Sequence, residues 1–374
     1  MRVSRHANTR RGTYPLDMVQ VYHIAHPACE PSIRLVRLHV NDSKSMKNLK
    51  LSTRVGEGMQ PACLSLTLCA AVLLTACHRT PIAIAVIPRT CGTWLWEAEH
   101  TGVERAAHQY GLHVYWNAPM REDDVQGQID ILSTAVRHGV KGVIVSPVEA
   151  LPLRTSVHNA LDGGIPVVVV GTDLGLSPGA KLAYVLNDEH RGGQMAARRI
   201  GQLLKGHGSV AILGISKQLT STAERARSLE TTLADEFPGI HVAFRSLALP
   251  TVSQEQQVAE RLLAEGEHVD AIIALTEAST RGAFYAQTEF NRTLTTPLVG
   301  FDQNILAPIR TGQIDSVIIQ NTYQMGRAAM NLMADEIKVG ANKQYVIVQP
   351  VLVTRETIDS DNVKETLDLN WFRL

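Results

Sequence analysis

The chain has 374 residues, enough for two ordinary domains and a large core. Hydrophobic residues make up 45% and charged residues 19%, a globular balance that excludes a disordered chain. Lys plus Arg and Asp plus Glu number 36 each, but the first 76 positions hold ten basic and four acidic residues, so the body carries 26 against 32. That acidic balance argues against nucleic acid as a partner, because phosphate binding needs a basic face.

Residues 1–45 show no clear pattern and fit an overcalled start, with Met46 as the true one. Lys47, Lys50 and Arg54 then precede Met59–Cys77 (MQPACLSLTLCAAVLLTAC), which carries no charge. A basic region, a short apolar core and small residues before a cut form the pattern of a secretory signal. Leu74-Thr75-Ala76-Cys77 resembles the bacterial lipobox, which implies a signal peptide over 46–76 and a mature chain that starts at lipidated Cys77. Gln60 and Pro61 cut the run short of the roughly 20 apolar residues that spanning requires, so the membrane is met through the lipid alone. Cys63 and Cys69 leave with the signal. Cys91 is then the one cysteine after Cys77, and it is expected to be a bystander thiol outside any disulfide framework.

From Pro81 onward, strand-like and helix-like segments alternate. Ile82–Ile87 (IAIAVI) is a continuous apolar run, as in a strand covered on both faces. A helix follows over 95–110, then HVYWN at 113–117, a helix over 123–138 and GVIVS at 142–146. A helix over 151–162 ends at Gly163-Gly164, and residues 165–170 (IPVVVV) form the fourth strand. The alternation restarts with a short strand at 183–186, a helix to about 204, and strands at 209–214, 241–247, 271–275 and 298–301 separated by helices. A helix over 323–339 precedes YVIVQPVLVT at 345–354, read as a return strand serving the first sheet. Such alternation predicts an α/β fold of βαβ units with parallel sheets, here as two tandem sets joined near 184–187. Two apolar runs end in polar side chains, Leu298–Phe301 in Asp302 and Val317–Ile319 in Gln320, and that edge of an open α/β sheet faces a ligand crevice.

Several stretches together resemble the periplasmic sugar-binding proteins of the ribose/galactose-binding type, the ligand-capturing subunits of ABC importers. They include GVERAAHQYGLHVYW at 102–116, GVKGVIVSPVEA at 139–150, GIPVVVVGTD at 164–173, LNDEHRGGQMAARRI at 186–200, LVGFDQN at 298–304 and GQIDSVIIQNTYQMG at 312–326. The likeness implies two doubly wound lobes with three hinge crossings, 81–186 with 321–349 and 187–320 with 350–374. It also implies a cleft that captures a sugar or polyol and a monomer outside the cytoplasm that docks on a membrane permease. No chemistry and no cofactor are implied.

The resemblance carries ligand contact to particular positions. Asp302 and Gln320 match groups that hydrogen-bond sugar hydroxyls, with Asp302 the expected main acceptor. Trp94 and Trp96 fall where aromatic rings pack against a sugar's C–H face, one expected at the cleft and the other beneath the lobe. Arg89 and Arg225 match cationic contacts, and Ser146 and Asn187 match polar positions facing the cleft. At two places the chain departs from the pattern. Gly171 stands where an Asp is usual, with Asp173 as a substitute from the loop, and Thr276, followed by Glu277, stands where Asn or Asp is usual. For each residue the plainer alternative is a helix cap, a core side chain or a surface ion pair.

Three rival readings share this alternation of strands and helices or the same cleft. A regulator of the lac-repressor type needs a helix-turn-helix before the core, where this chain has prolines and an apolar secretion core. An enzyme lacks support: no G-x-G-x-x-G follows the first strand, no G-x-S-x-G elbow occurs, and the histidines have no metal-ligand spacing. A sensor docking on a histidine kinase or chemoreceptor would use the same cleft, and sequence does not separate it from a transport subunit.

Overall fold

The computed structural model describes residues 83–216, 220–264, 268–340 and 345–370. The proposed signal peptide and Cys77 lie outside them. Two six-stranded sheets organise the chain. The first contains β1 (Ala83–Ile87), β2 (His113–Trp116), β3 (Gly142–Val145), β4 (Val167–Val170) and β5 (Leu182–Asn187), and the late strand β11 (Tyr345–Val348) completes it in the order β11-β5-β4-β3-β1-β2. The second contains β6 (His207–Ile215), β7 (Gly239–Leu247), β8 (Ala271–Ala274), β9 (Leu298–Gly300), β10 (Ser316–Ile319) and β12 (Val351–Thr354), in the order β12-β10-β9-β8-β6-β7. The two orders are equivalent strand for strand, so the two tandem sets are two copies of one plan. Every strand pair is parallel except β10 with β12.

Burial follows position in the sheet. The central strands β3, β4 and β8 are buried at every residue because helices cover both faces, which explains their uninterrupted apolar runs. Edge strands β7 and β11 alternate between exposed and more buried residues. In the first lobe α1 (Trp94–Tyr110) and α9 (Thr322–Val339) pack on one face, with α2 (Val125–Arg137) and α3 (Ala150–Asp162) on the other. In the second, α4 (Glu189–Leu203) and α5 (Thr220–Glu236) oppose α6 (Val252–Ala264) and α7 (Glu277–Glu289). Short helices α8 (Ala307–Thr311) and α10 (Asp361–Thr366) finish the chain. The α1–α9 contact depends on two helical glycines: a Cβ on Gly102 would collide with the Tyr323 carbonyl, and one on Gly326 with the Glu99 carbonyl.

The stretch at 345–354 corrects the sequence reading. It is two strands, not one, and only the first half serves the first sheet, while β12 runs antiparallel to β10 in the second. The break falls at Gln349-Pro350, where the proline cannot donate to a ladder. The chain thus passes between sheets three times, after Asn187, after Ile319 and after Val348. The first and third crossings are tied together: Asp188 donates its backbone N–H to the Val348 carbonyl at 2.8 Å, and Gln349 Nε2 donates to Asp188 Oδ2 at 2.9 Å. Cys91 is a second correction. It is disulfide-bonded rather than a bystander thiol, and the other four cysteines all lie outside the described residues. The count from sequence had discarded those upstream with the signal. Among the described residues no helix is long and apolar enough to cross a membrane.

Candidate functional site

The carboxyl ends of both sheets converge on a cavity of about 290 Å³. Arg89, Trp96, Glu122, Gly171, Thr322 and Met325 reach it from the first lobe, and Thr222, Arg225, Thr276, Glu277, Phe301, Asp302, Gln303 and Gln320 from the second lobe and the second crossing. Strand ends place most of these groups where open α/β sheets bind ligands.

Arg225 sits on the buried face of α5. It donates from Nε and Nη2 to Glu189 Oε2 at 2.8 and 2.6 Å, and from Nη1 to the Leu275 carbonyl. Its guanidinium carbon lies 4.0 Å from the centroid of the Phe301 ring. Glu189, the first residue of α4, also accepts from Gln320 Nε2 at 3.2 Å, so two crossings and the second lobe share one carboxylate. Across the cleft, Arg89 donates to the Pro147 carbonyl at 2.9 Å and to the Thr172 hydroxyl at 2.8 Å, and its guanidinium lies 5.7 Å from the Trp96 ring centroid. Burial lowers its pKa, against the opposing charges of Glu122, Glu99 and Glu189.

Asp302, two residues past the end of β9, has a completely occluded side chain. Its Oδ2 accepts from Arg281 Nε at 2.8 Å and its Oδ1 from the Asn304 N–H at 2.7 Å. Each oxygen has one further lone pair beyond these bonds. Burial raises its pKa, partly offset by Arg281. Glu277 shares Arg281 through a 2.6 Å contact. Burial, then repulsion from Asp302, pushes the Glu277 carboxyl up to about 7. Both polar ends of the Gln303 amide lack a hydrogen-bond partner, although the side chain lines the cavity and is only 3% exposed.

The structure therefore brings together Arg89, Trp96, Arg225, Thr276, Asp302 and Gln320 and leaves four expected residues outside the lining. Trp94 is 49% exposed, half a turn away from Trp96 on α1, so the buried tryptophan is the one at the cavity. Asp173 closes a turn by accepting from the Gly175 N–H at 2.7 Å, and so does not replace the carboxylate absent at Gly171. Ser146 lies beneath the floor, donating to the buried Glu99 carboxyl at 3.1 Å. Asn187, the last residue of β5, is buried and does not line the cavity. Thr276 reaches the cavity, but its hydroxyl is committed to a capping box with Ser279 at the start of α7. Glu122, Phe301 and Gln303 were not anticipated. Gln303 and Phe301 flank Asp302 at a strand end and shared its signal, whereas Glu122 sits in the charged run REDD and reads as solvated surface. Among the described residues no group of His, Cys, Asp and Glu is placed to hold a metal ion.

Residues 84–342 match the periplasmic binding protein domain family. The chain belongs to this periplasmic binding protein family. It is a solute-binding protein with the two-lobed architecture of ABC sugar-binding proteins. It is 25% identical over 252 residues to the ribose import binding protein RbsB of Bacillus subtilis, covering 67% of this chain and 79% of that protein. It is 26% identical over 268 residues to a xylitol-binding protein of Mycolicibacterium smegmatis, covering 69% and 73%. Among solved structures, an ABC transporter solute-binding protein from Agrobacterium vitis bound to α-D-tagatopyranose superposes with a TM-score of 0.70 at 18% identity, covering 76% of this chain and 98% of that one. A carbohydrate-binding counterpart from Agrobacterium radiobacter in complex with D-arabinose gives 0.68 at 20% identity, covering 78% and 100%.

Proposed function

We propose that this protein captures a sugar or polyol between its lobes, outside the cytoplasm, and delivers it to an ABC transporter permease. The observation that carries the proposal is the composition of the cavity wall. Trp96 and Phe301 offer apolar planes, and Arg89, Arg225, Asp302, Gln303 and Gln320 offer donors and acceptors around them. A ring with C–H faces and peripheral hydroxyls satisfies both kinds of surface. The relatives that take ribose and xylitol, and the structural neighbours holding tagatose and arabinose, support the same chemical class.

In this reading the protein binds without turning its ligand over and acts as a monomer. Residues 81–186 with 321–349 and 187–320 with 350–374 act as the two moving bodies. The test is isothermal titration of the purified protein against a panel of aldoses, ketoses and alditols. Saturable binding of at least one member is expected, and Arg225→Ala should abolish it. No heat from any member, nor from aminated counterparts of the same sugars and polyols, at millimolar concentration would overturn the proposal.

A further inference from the structure

The charges around the cavity do not balance. Three guanidiniums, those of Arg89, Arg225 and Arg281, lie among five carboxyl groups, those of Glu99, Glu122, Glu189, Glu277 and Asp302. Their pairing locates the excess. Arg225 and Glu189 neutralise each other. Arg281 faces both Glu277 and Asp302, which leaves one carboxyl without a cation of its own in the second lobe. In the first lobe Arg89 bonds only neutral oxygens, while both Glu99 and Glu122 act on it electrostatically. Glu122 is exposed to solvent, has no ion pair or hydrogen bond among the described residues, and lines the same cavity as Glu277 of the other lobe.

We infer that the ligand is positively charged, an aminated sugar or aminated polyol whose ammonium group lies between Glu122 and Glu277. The inference rests on the sugar-or-polyol reading above and specifies it. A neutral sugar brings no charge to offset a second carboxylate beside Glu122, so Glu277 would have to stay protonated with it. An ammonium group offers three donors and a full positive charge at that point. The cavity answers the rest of such a molecule, with the unpaired amide of Gln303 for hydroxyls and the Trp96 and Phe301 rings in the wall for C–H faces. Without a cation Glu277 holds its proton to about pH 7, because burial and Asp302 disfavour its charge. An incoming ammonium reverses that preference, so binding near neutral pH is coupled to proton release.

The experiment is isothermal titration with matched probes: D-glucose, D-glucosamine and N-acetyl-D-glucosamine, the corresponding galactose set, and sorbitol with 1-amino-1-deoxysorbitol, alongside the neutral panel above. The acetamide keeps the nitrogen and removes its charge. At least one amine is expected to bind at least about tenfold more tightly than its hydroxyl and acetamide counterparts. Glu277→Gln and Glu122→Gln should each reduce that preference to below about threefold. Repeating the titration at pH 7 in buffers of different ionisation enthalpy should show net proton release, and Glu277→Gln should remove it. Neutral members binding as tightly as amines would overturn this inference and leave the sugar-binding proposal standing. No binding by either set would overturn both.

Discussion

Glu189→Ala tests the joint on which the cavity is built. The Glu189 and Arg225 side chains are 8% and 6% exposed, and the carboxylate receives two guanidinium hydrogen bonds and one from Gln320. Removing one member of a buried pair leaves the other charge uncompensated and costs about 3–5 kcal/mol. Arg225 lines the cavity, so water reaches the freed guanidinium, and this puts the loss near the lower end, about 3 kcal/mol. At about 2–4 °C per kcal/mol for a protein of this size class, the thermal midpoint should fall by roughly 6–12 °C. Differential scanning calorimetry and urea unfolding followed by circular dichroism would measure it. Replacing both residues by methionine should recover most of the stability, because apolar substitutes for a buried pair are often neutral. The same double change should abolish ligand binding, since Arg225 faces the ligand. A Glu189→Ala protein within about 1 kcal/mol of wild type would refute the reasoning, because it would mean that Arg225 is not held by this carboxylate.

Other expectations follow from the same geometry. Gly326→Ala should destabilise by about 1–3 kcal/mol in urea unfolding, because its methyl would meet the Glu99 carbonyl across the α1–α9 contact. Burial raises the Glu99 carboxyl to about 7 despite the Ser146 hydrogen bond and Arg89. Its folded pKa therefore exceeds its unfolded value, so its contribution is fully present below about pH 4.5 and is lost as pH rises through about 7, on the order of 3 kcal/mol in all. Unfolding midpoints measured from pH 5 to 8 should show that decline, and Glu99→Gln should make it shallower, leaving the part that Glu277 contributes over the same range. Asp302→Ala should weaken ligand binding by about 2–4 kcal/mol, read by titration, because it strips a hydroxyl acceptor and leaves Arg281 with Glu277 as its one ion-pair partner. A ligand held by both lobes favours the closed arrangement, so small-angle scattering should show a smaller radius of gyration at saturation.

Much of the architecture was legible because each lobe's central strands are covered on both faces and so read as unbroken apolar runs. The destination of residues 345–354 was not legible. YVIV and VLVT are equally apolar, and nothing in their composition says that one joins the first sheet and the other the second. Pro350 marked the break between them. At the site, Asp302 and Gln320 stood out as polar ends of apolar strands. Trp94 and Trp96 could not be ranked, because residues two apart on a helix point about 200° apart and periodicity does not say which direction is inward. Asp173 misled because a turn carboxylate that bonds its own backbone has the same sequence signature as one offered to a ligand.

The two departures from the expected sugar-binding pattern have opposite effects on charge. At Gly171 a carboxylate expected from the first lobe is absent. The backbone there has a φ of +77°, a conformation that glycine adopts without strain, and the neighbouring Thr172 hydroxyl accepts from Arg89 instead. At Thr276 the expected polar side chain is consumed in capping α7, and the residue after it brings a carboxylate to the cavity wall. Negative charge is therefore moved from the end of β4 to the start of α7, and Glu122 lines the same cavity from the first lobe. A ligand with hydroxyls alone has no use for that relocation, since it gains an acceptor already sharing Arg281 and loses one at β4. A ligand with an ammonium group gains a carboxylate on each side of the cleft, and each lobe then holds one end of the same electrostatic clamp.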